Sequence, residues 1–176
     1  MAYDYIIREA TPDDAEAIIA FMKTIADEPD NGTSFSSADE FTYTPEQERE
    51  LLQQHRDADN CLWIVAVDEN GEIVGSLNAT GGRRSWYHVV GIGISLAQNW
   101  RNRGIGTAMM QFVIDWCRAN PVVHRLELTV FSNNPRAQHV YEKVGFQHEG
   151  IRKEAYFKHG EYLDGILMAM LFDKQT

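Results

Sequence analysis

Cysteine is scarce: only Cys61 and Cys117 occur in 176 residues, and they lie far apart in the chain. They do not make a disulfide framework, and no Cys/His spacing around them suits a metal. A metal-free site and two buried, free thiols in a reducing cytoplasm are therefore expected. Long apolar runs are also missing. None approaches the roughly 20 residues needed to cross a bilayer, so no membrane partner is expected. The opening MAYDYIIREATPDD has no basic segment followed by an apolar stretch and does not read as a secretory signal. Positive charge is in deficit, with 16 Lys and Arg against 26 Asp and Glu, a formal net charge of -10. General nucleic-acid binding draws on a basic surface and is not expected. A small cationic partner is compatible with this balance.

A hydrophobic content of 44% supports a real core, and the length suits one domain over residues 1–176. The segment YDYIIREA reads as an opening strand. Thr11-Pro12-Asp13-Asp14 is a helix start, and Ala15, Ile18, Ile19 and Met22 follow at helical spacing. The stretch ADEPDNGTSFSSADEF predicts an irregular, mobile connection carrying Asp27, Glu28, Asp30, Asp39 and Glu40. Thr44-Pro45-Glu46-Gln47 predicts a capping box and a second helix. CLWIVAV and EIVGSLNAT, joined by Asp68-Glu69-Asn70-Gly71, predict a hairpin, and WYHVVGIGISL a third, longer strand. Then the pattern changes. Ile105, Ala108, Met109, Phe112, Val113 and Trp116 form a helical stripe, and HRLELTV reads as a strand. Strand, helix, strand predicts parallel pairing. Asn134-Pro135 opens a further helix, with Ala137, Val140, Tyr141 and Val144 on one face and Gly145 as its stop. Two closing strands flank His159-Gly160. The expected class is α/β with a mixed sheet.

The junction Arg101-Asn102-Arg103-Gly104-Ile105-Gly106 lies between a strand and a helix. Helix N-terminal N–H groups lack partners and carry the positive end of the helix dipole, which suits a phosphate. Glycines let an anion approach the backbone, and arginines offer charge-assisted contacts. A Walker loop would need Gly-Lys-Ser/Thr, which is absent, and a dinucleotide fingerprint would need a third glycine in an early βαβ unit.

NWRNRGIGTAMM resembles the acyl-CoA pyrophosphate loop of the GNAT superfamily of N-acetyltransferases. LTVFSNNPRAQHVYEKVGF resembles that family's next motif, with Asn134, Ala137, Tyr141, Gly145 and Phe146 filling its frame. The closing GIRKEAYFKHGEYLDGILMAML is similar to bacterial amino-acid and ribosomal-protein N-terminal acetyltransferases. The resemblance implies an antiparallel meander, a parallel βαβ unit with splayed central strands, and a C-terminal hairpin. It implies acetyl-CoA as the acetyl donor and a cytoplasmic enzyme. Its acceptor would be a primary amine, foremost the α-amino group of an amino acid or peptide N-terminus, with a polyamine or other small amine as the alternative.

By the same resemblance Arg101, Asn102, Arg103, Gly104, Ile105, Gly106 and Thr107 hold the pyrophosphate, with Asn134 near the cofactor. Backbone groups of Ile94, Ser95 and Leu96 bind the pantetheine arm, and Gly91 and Gly93 suit a bulged or closely approached strand. Tyr141 is the acid for the leaving thiolate. Many relatives carry an acidic residue where this chain has Gly91, so Glu127 and His88 stand as substitute bases. A non-catalytic acyl-CoA-binding module is the alternative that Gly91 keeps open and Tyr141 argues against. Tyr156, Tyr162 and Asp164 would line the acceptor side, with the acidic loop closing over it. The apolar residues of the long final strands would suit a homodimer.

Overall fold

The computed structural model describes residues 5–29 and 31–173. Tyr3 and Asp4 of the expected opening strand, and Asp30 of the acidic loop, lie outside these. Strand β1 (Tyr5–Glu9) leads into a single 3-10 turn, Pro12–Asp14, that passes directly into helix α1 (Ala15–Asp27). The Thr11 N–H donates to Asp14 Oδ2 at 2.7 Å, and Arg8 grips both carboxylate oxygens at 2.8 and 2.7 Å. The Arg8 guanidinium holds the Asp14 carboxyl below its usual range. Helix α2 (Pro45–Asp57) carries the expected box: Thr44 Oγ1 accepts from the Gln47 N–H at 3.3 Å, and Gln47 Oε1 from the Thr44 N–H at 2.9 Å.

The connection between these helices is irregular, as expected, but it is fastened rather than loose. Asn31 is buried and its side chain donates to the Ala26 carbonyl at 2.9 Å. Lys158, from a distant strand, donates to Asn31 and to the Thr33 carbonyl. Asp27 accepts from the Ala38 N–H and Glu40 from the Ser36 N–H.

Strands β2 (Leu62–Asp68), β3 (Ile73–Gly81) and β4 (Val89–Leu96) form the predicted antiparallel meander, with β1 on its outer edge. Strand β4 is shorter than its sequence implies. Asn60 donates to the carbonyls of Gly82 and Tyr87 at 3.1 and 2.9 Å, which holds Trp86, Tyr87 and His88 in a turn. No bulge falls at Gly91 or Gly93, where the β3–β4 register is unbroken; the β2–β3 pair is instead irregular at Ala66/Val67. Close approach does hold at Gly93, where an added Cβ would lie 3.0 Å from Asn78 Oδ1.

Helix α3 (Ile105–Ala119) buries Ile105, Met109, Met110, Val113, Ile114 and Cys117. Its buried stripe is rotated from the one read in the sequence, and Phe112 is exposed at its margin. Of the two thiols Cys117 is buried and Cys61 only partly so, and neither forms a disulfide among the described residues. Strand β5 (Arg125–Phe131) lies parallel to β4, and helix α4 (Pro135–Lys143) follows, capped by Asn134, whose Oδ1 accepts from the Ala137 N–H at 3.2 Å. Gly145, at φ 106, ends that segment in a conformation glycine tolerates. The closing hairpin is β6 (Gln147–Lys158) and β7 (Glu161–Leu171), with β7 inserted beside β5 to give the order β1-β2-β3-β4-β5-β7-β6. Helices α1 and α2 cover one face of this sheet, against Val65 and Val67. Helices α3 and α4 cover the other, against Ile64, Leu77, Leu126 and Leu128.

Candidate active site

Strands β4 and β5 are paired only at Val89↔Arg125, Val90↔Leu126 and Gly91↔Glu127. Beyond Gly91 they diverge, so the β4 edge facing β5 lacks a strand partner among the described residues. Backbone N–H and C=O groups left without a partner seek another. Here they border a cavity of about 890 Å³ that passes between the two strands and is lined from both sheet faces.

The loop side of that cavity holds Leu96, Arg101, Asn102, Gly104, Gly106 and Thr107. Gly104 stands at φ 82 as the N-cap of α3, and no side chain caps this end. A Cβ added to Gly104 would meet nothing within 4 Å. The approach to the first N–H groups of α3 is therefore open, as an anion requires. Ile94 and Ser95 line the same space, as do Asn134 and Tyr141 from the α4 side. Arg136 and Lys143 of α4 add positive charge to the lining. Ile105 is buried beneath the loop, and Arg103 packs its guanidinium over the Trp100 ring at 5.0 Å.

Arg101 is engaged differently from the phosphate contact expected of it. Its Nε donates to the Leu96 carbonyl at 3.0 Å, and its guanidinium pairs with Glu28 from the end of α1. Glu28 also accepts from the Gln98 N–H at 2.9 Å. Both partners are shielded from solvent, which makes this a nearly buried ion pair. One carboxylate of the acidic loop is thus held against the glycine loop.

Tyr141 is a buried residue of α4 whose ring packs near Phe146, with centroids 6.0 Å apart. Burial pushes its phenol up to about 12, so the hydroxyl keeps its proton throughout the ordinary pH range.

His88 and Glu127 do not line the main cavity. His88 sits one residue before β4, at the closed end of the strand pair, where its carbonyl accepts from the N–H groups of His124 and Arg125. Glu127 lies opposite Gly91 at the last paired position, in an adjoining cleft that shares Asn78, Thr80, Ile92 and Thr129 with the main cavity. Its carboxylate accepts from Arg125 Nε at 2.7 Å, and Arg125 also pairs with Glu149. Of the hairpin residues, Tyr156 lines the cavity and stacks edge-on with Phe131 at 4.7 Å. Tyr162 is exposed against Phe157, and Asp164 pairs with Lys153 at 2.8 Å.

The α1–α2 side of the cavity holds residues the sequence did not single out. Glu48 and His55 of α2 line it with Trp63, Ser76, Asn78 and Thr80. His55 Nδ1 lies 2.9 Å from the Leu51 carbonyl, which can only accept, so that nitrogen carries the proton. His55 Nε2 then accepts from the Thr80 hydroxyl at 3.0 Å. The Trp63 indole donates to Ser76 Oγ at 2.9 Å. In sequence, Glu48, Leu52 and His55 recur at helical spacing on the inward face of α2. Polar residues at core-facing positions were the available signal.

Residues 29–146 match the acetyltransferase (GNAT) family. An L-amino acid N-acetyltransferase of Escherichia coli K12 is 41% identical over 109 residues, which cover 60% of this chain and 65% of that protein. The ribosomal protein uS5 alanine N-acetyltransferase of the same organism is 25% identical over 99 residues, covering 56% of this chain and 51% of its own. The chain thus spans less than two thirds of the length of either relative. A solved acetyltransferase of the GNAT family from Streptococcus pneumoniae superposes with a TM-score of 0.90 at 31% identity, covering 97% of this chain and all of that one.

Proposed function

The chain belongs to the acetyltransferase (GNAT) family, and from that premise we propose that it moves an acetyl group from acetyl-CoA to a primary amine. Its residues 1–176 act as one domain in this reading. The observation that carries it is the parting of β4 from β5 after Gly91, which joins the glycine loop on one side to a polar chamber on the other. A thioester arm laid in that gap finds the β4 edge that β5 leaves uncovered at Ile94 and Ser95, while the Leu96 carbonyl beside them is already taken by Arg101. The open N-terminus of α3, with Gly104, Gly106 and Thr107, receives the phosphates, and Asn102 and Arg103 flank it. Arg101 acts indirectly, by fixing the loop through Leu96 and Glu28.

Acetyl-CoA supplies the activated acetyl group; the chain supplies orientation and proton handling. Tyr141 holds a proton that burial keeps in place and offers it to the departing sulfur. Of the two substitute bases, Glu127, at the vertex of the strand pair, is closer to the gap than His88, but its carboxylate is engaged by Arg125. The acceptor is the α-amino group of an amino acid or peptide N-terminus, supported by the likeness to an L-amino acid N-acetyltransferase. Gly91 brings no side chain to the gap and favours a second reading, a module that binds acyl-CoA without transfer. Thiol release from acetyl-CoA over a panel of amino acids, short peptides and polyamines separates the two. Turnover with an α-amine establishes the enzyme, and tight CoA binding without release over the whole panel establishes the binding module.

A further inference from the structure

Glu48 is a carboxylate only 1% exposed, and its Oε1 has no hydrogen-bond partner among the described residues. An isolated buried carboxyl is costly in water-excluded surroundings, and native structures rarely leave one so unless a ligand completes it. Burial pushes its titration up from the usual carboxylate range. Yet it does not face sealed core: it lines the cavity on the α1–α2 side, one helical face with His55. Of the other polar groups lining that side, His55 is matched to Leu51 and Thr80, and Trp63 to Ser76. Tyr141 lines the same cavity from the α4 side. The cavity therefore has an unmatched carboxyl on one sheet face and a proton donor on the other, with the strand gap between them.

We infer that Glu48 receives the ammonium group of the acceptor and removes the proton that must leave before the nitrogen can attack. This rests on the acetyltransferase reading for its chemistry, but the ammonium contact stands on the cavity alone. An acceptor enters as R–NH3⁺ and supplies the missing partner of Glu48. Glu48 takes one proton, the neutral nitrogen forms a bond to the acetyl carbon, and the carbon–sulfur bond breaks with its electron pair on sulfur. The sulfur takes up a proton from Tyr141, which is restored by the second proton of the nitrogen. Glu48 then returns its proton to solvent, so one amine cation and one thioester yield an amide, a thiol and a proton. A carboxyl whose titration burial raises above the ordinary carboxylate range is a stronger base than an exposed one.

The test uses Glu48→Gln and Glu48→Met in the full chain. Calorimetry measures CoA binding, then binding of L-alanine, an alanyl dipeptide and spermidine to the CoA-loaded protein. Thiol release gives kcat and KM, and thermal unfolding gives Tm. The expected result is CoA affinity within twofold of wild type, amine affinity weakened at least tenfold, and kcat lowered at least a hundredfold. Tm is expected to be unchanged or higher in both variants, because an uncompensated buried charge has gone. Retained amine affinity and turnover, a lower Tm in both variants, or a wild type that binds none of the three amines overturns the inference. Wild-type amine binding without thiol release sinks the acetyltransferase reading while leaving the ammonium site standing. A Glu127→Gln variant run in parallel moves the base to Glu127 if it alone loses turnover.

Discussion

Glu28, at the end of α1, is paired with Arg101, at the start of the glycine loop, although the two are 73 residues apart in the chain. The contact ties the helix that roofs the polar chamber to the loop that would hold the phosphates. Arg101 is 10% exposed and Glu28 13%, so solvent screening is weak and neither partner is easily left alone. Removing one member of such a buried pair typically costs about 3–5 kcal/mol, because the other charge remains buried.

Arg101→Ala is therefore expected to lower the unfolding free energy by about 3–5 kcal/mol. The double change Arg101→Met with Glu28→Leu should recover much of that loss. Denaturant unfolding of the single and double variants measures both. A fully stable Arg101→Ala variant with weak CoA binding would return Arg101 to the phosphates.

The glycine loop gives a sharper test of cofactor binding. A Cβ at Gly106 would stand 3.1 Å from Leu96 Cδ1, on the β4 strand that borders the gap. Gly106→Val is expected to keep the fold, since the site is at the edge of the core, and to weaken CoA binding at least tenfold. Calorimetry with CoA, beside a far-ultraviolet circular dichroism spectrum, checks the two halves separately.

For Tyr141 the expected signature lies in kcat. Tyr141→Phe keeps the buried ring and removes the hydroxyl, so kcat should fall about 10²–10⁴-fold, with little change in KM for acetyl-CoA. Because burial pushes the phenol up to about 12, no alkaline loss of wild-type rate below about pH 11 should trace to this residue. Steady-state rates across pH for both proteins decide it.

Much of this arrangement was legible in the chain. The caps at Thr11 and Thr44, the turn at Asp68 and the meander follow from local chemistry that needs no partner. The Gly104–Gly106 loop was readable because helix geometry alone dictates what a helix N-terminus offers. What stayed hidden depends on distant partners. Nothing near Arg101 in sequence announces Glu28, and nothing near Lys158 announces Asn31. Trp86 to His88 have strand-like composition, but Asn60 draws their backbone into a turn. Nothing in PEQERELLQQHRD sets Glu48 apart from its acidic neighbours, and only the packing of α2 on the sheet turns it inward.

Stability against pH offers an independent reading of Glu48. Its folded titration lies above the unfolded one, so the native state binds the extra proton at low pH and loses it as pH rises. Wild type should lose stability relative to Glu48→Met as pH climbs above the ordinary Glu value of about 4.3, and the pH dependence of the difference should vanish below it. Tm measured for the two proteins from pH 4 to pH 8 checks the sign. A gap that narrows with rising pH would mean that Glu48 is stabilised as an anion, by a partner it gains in solution.

The acceptor itself separates the remaining alternatives. A polyamine gains most from several carboxylates free to meet several ammonium groups. In this structure Asp27, Glu28 and Glu40 of the acidic loop are occupied by the Ala38 N–H, Arg101 and the Ser36 N–H, Lys158 brings a further cation to the same loop, and the exposed Asp39 does not line the chamber. Glu48 is left as the buried acid lining the chamber, which suits one ammonium group. An L-amino acid or short peptide is therefore expected to exceed spermidine at least tenfold in kcat/KM. If spermidine wins, the loop's carboxylates are released in solution, and Asp27→Asn with Glu40→Gln should then cut its advantage while sparing the amino acid.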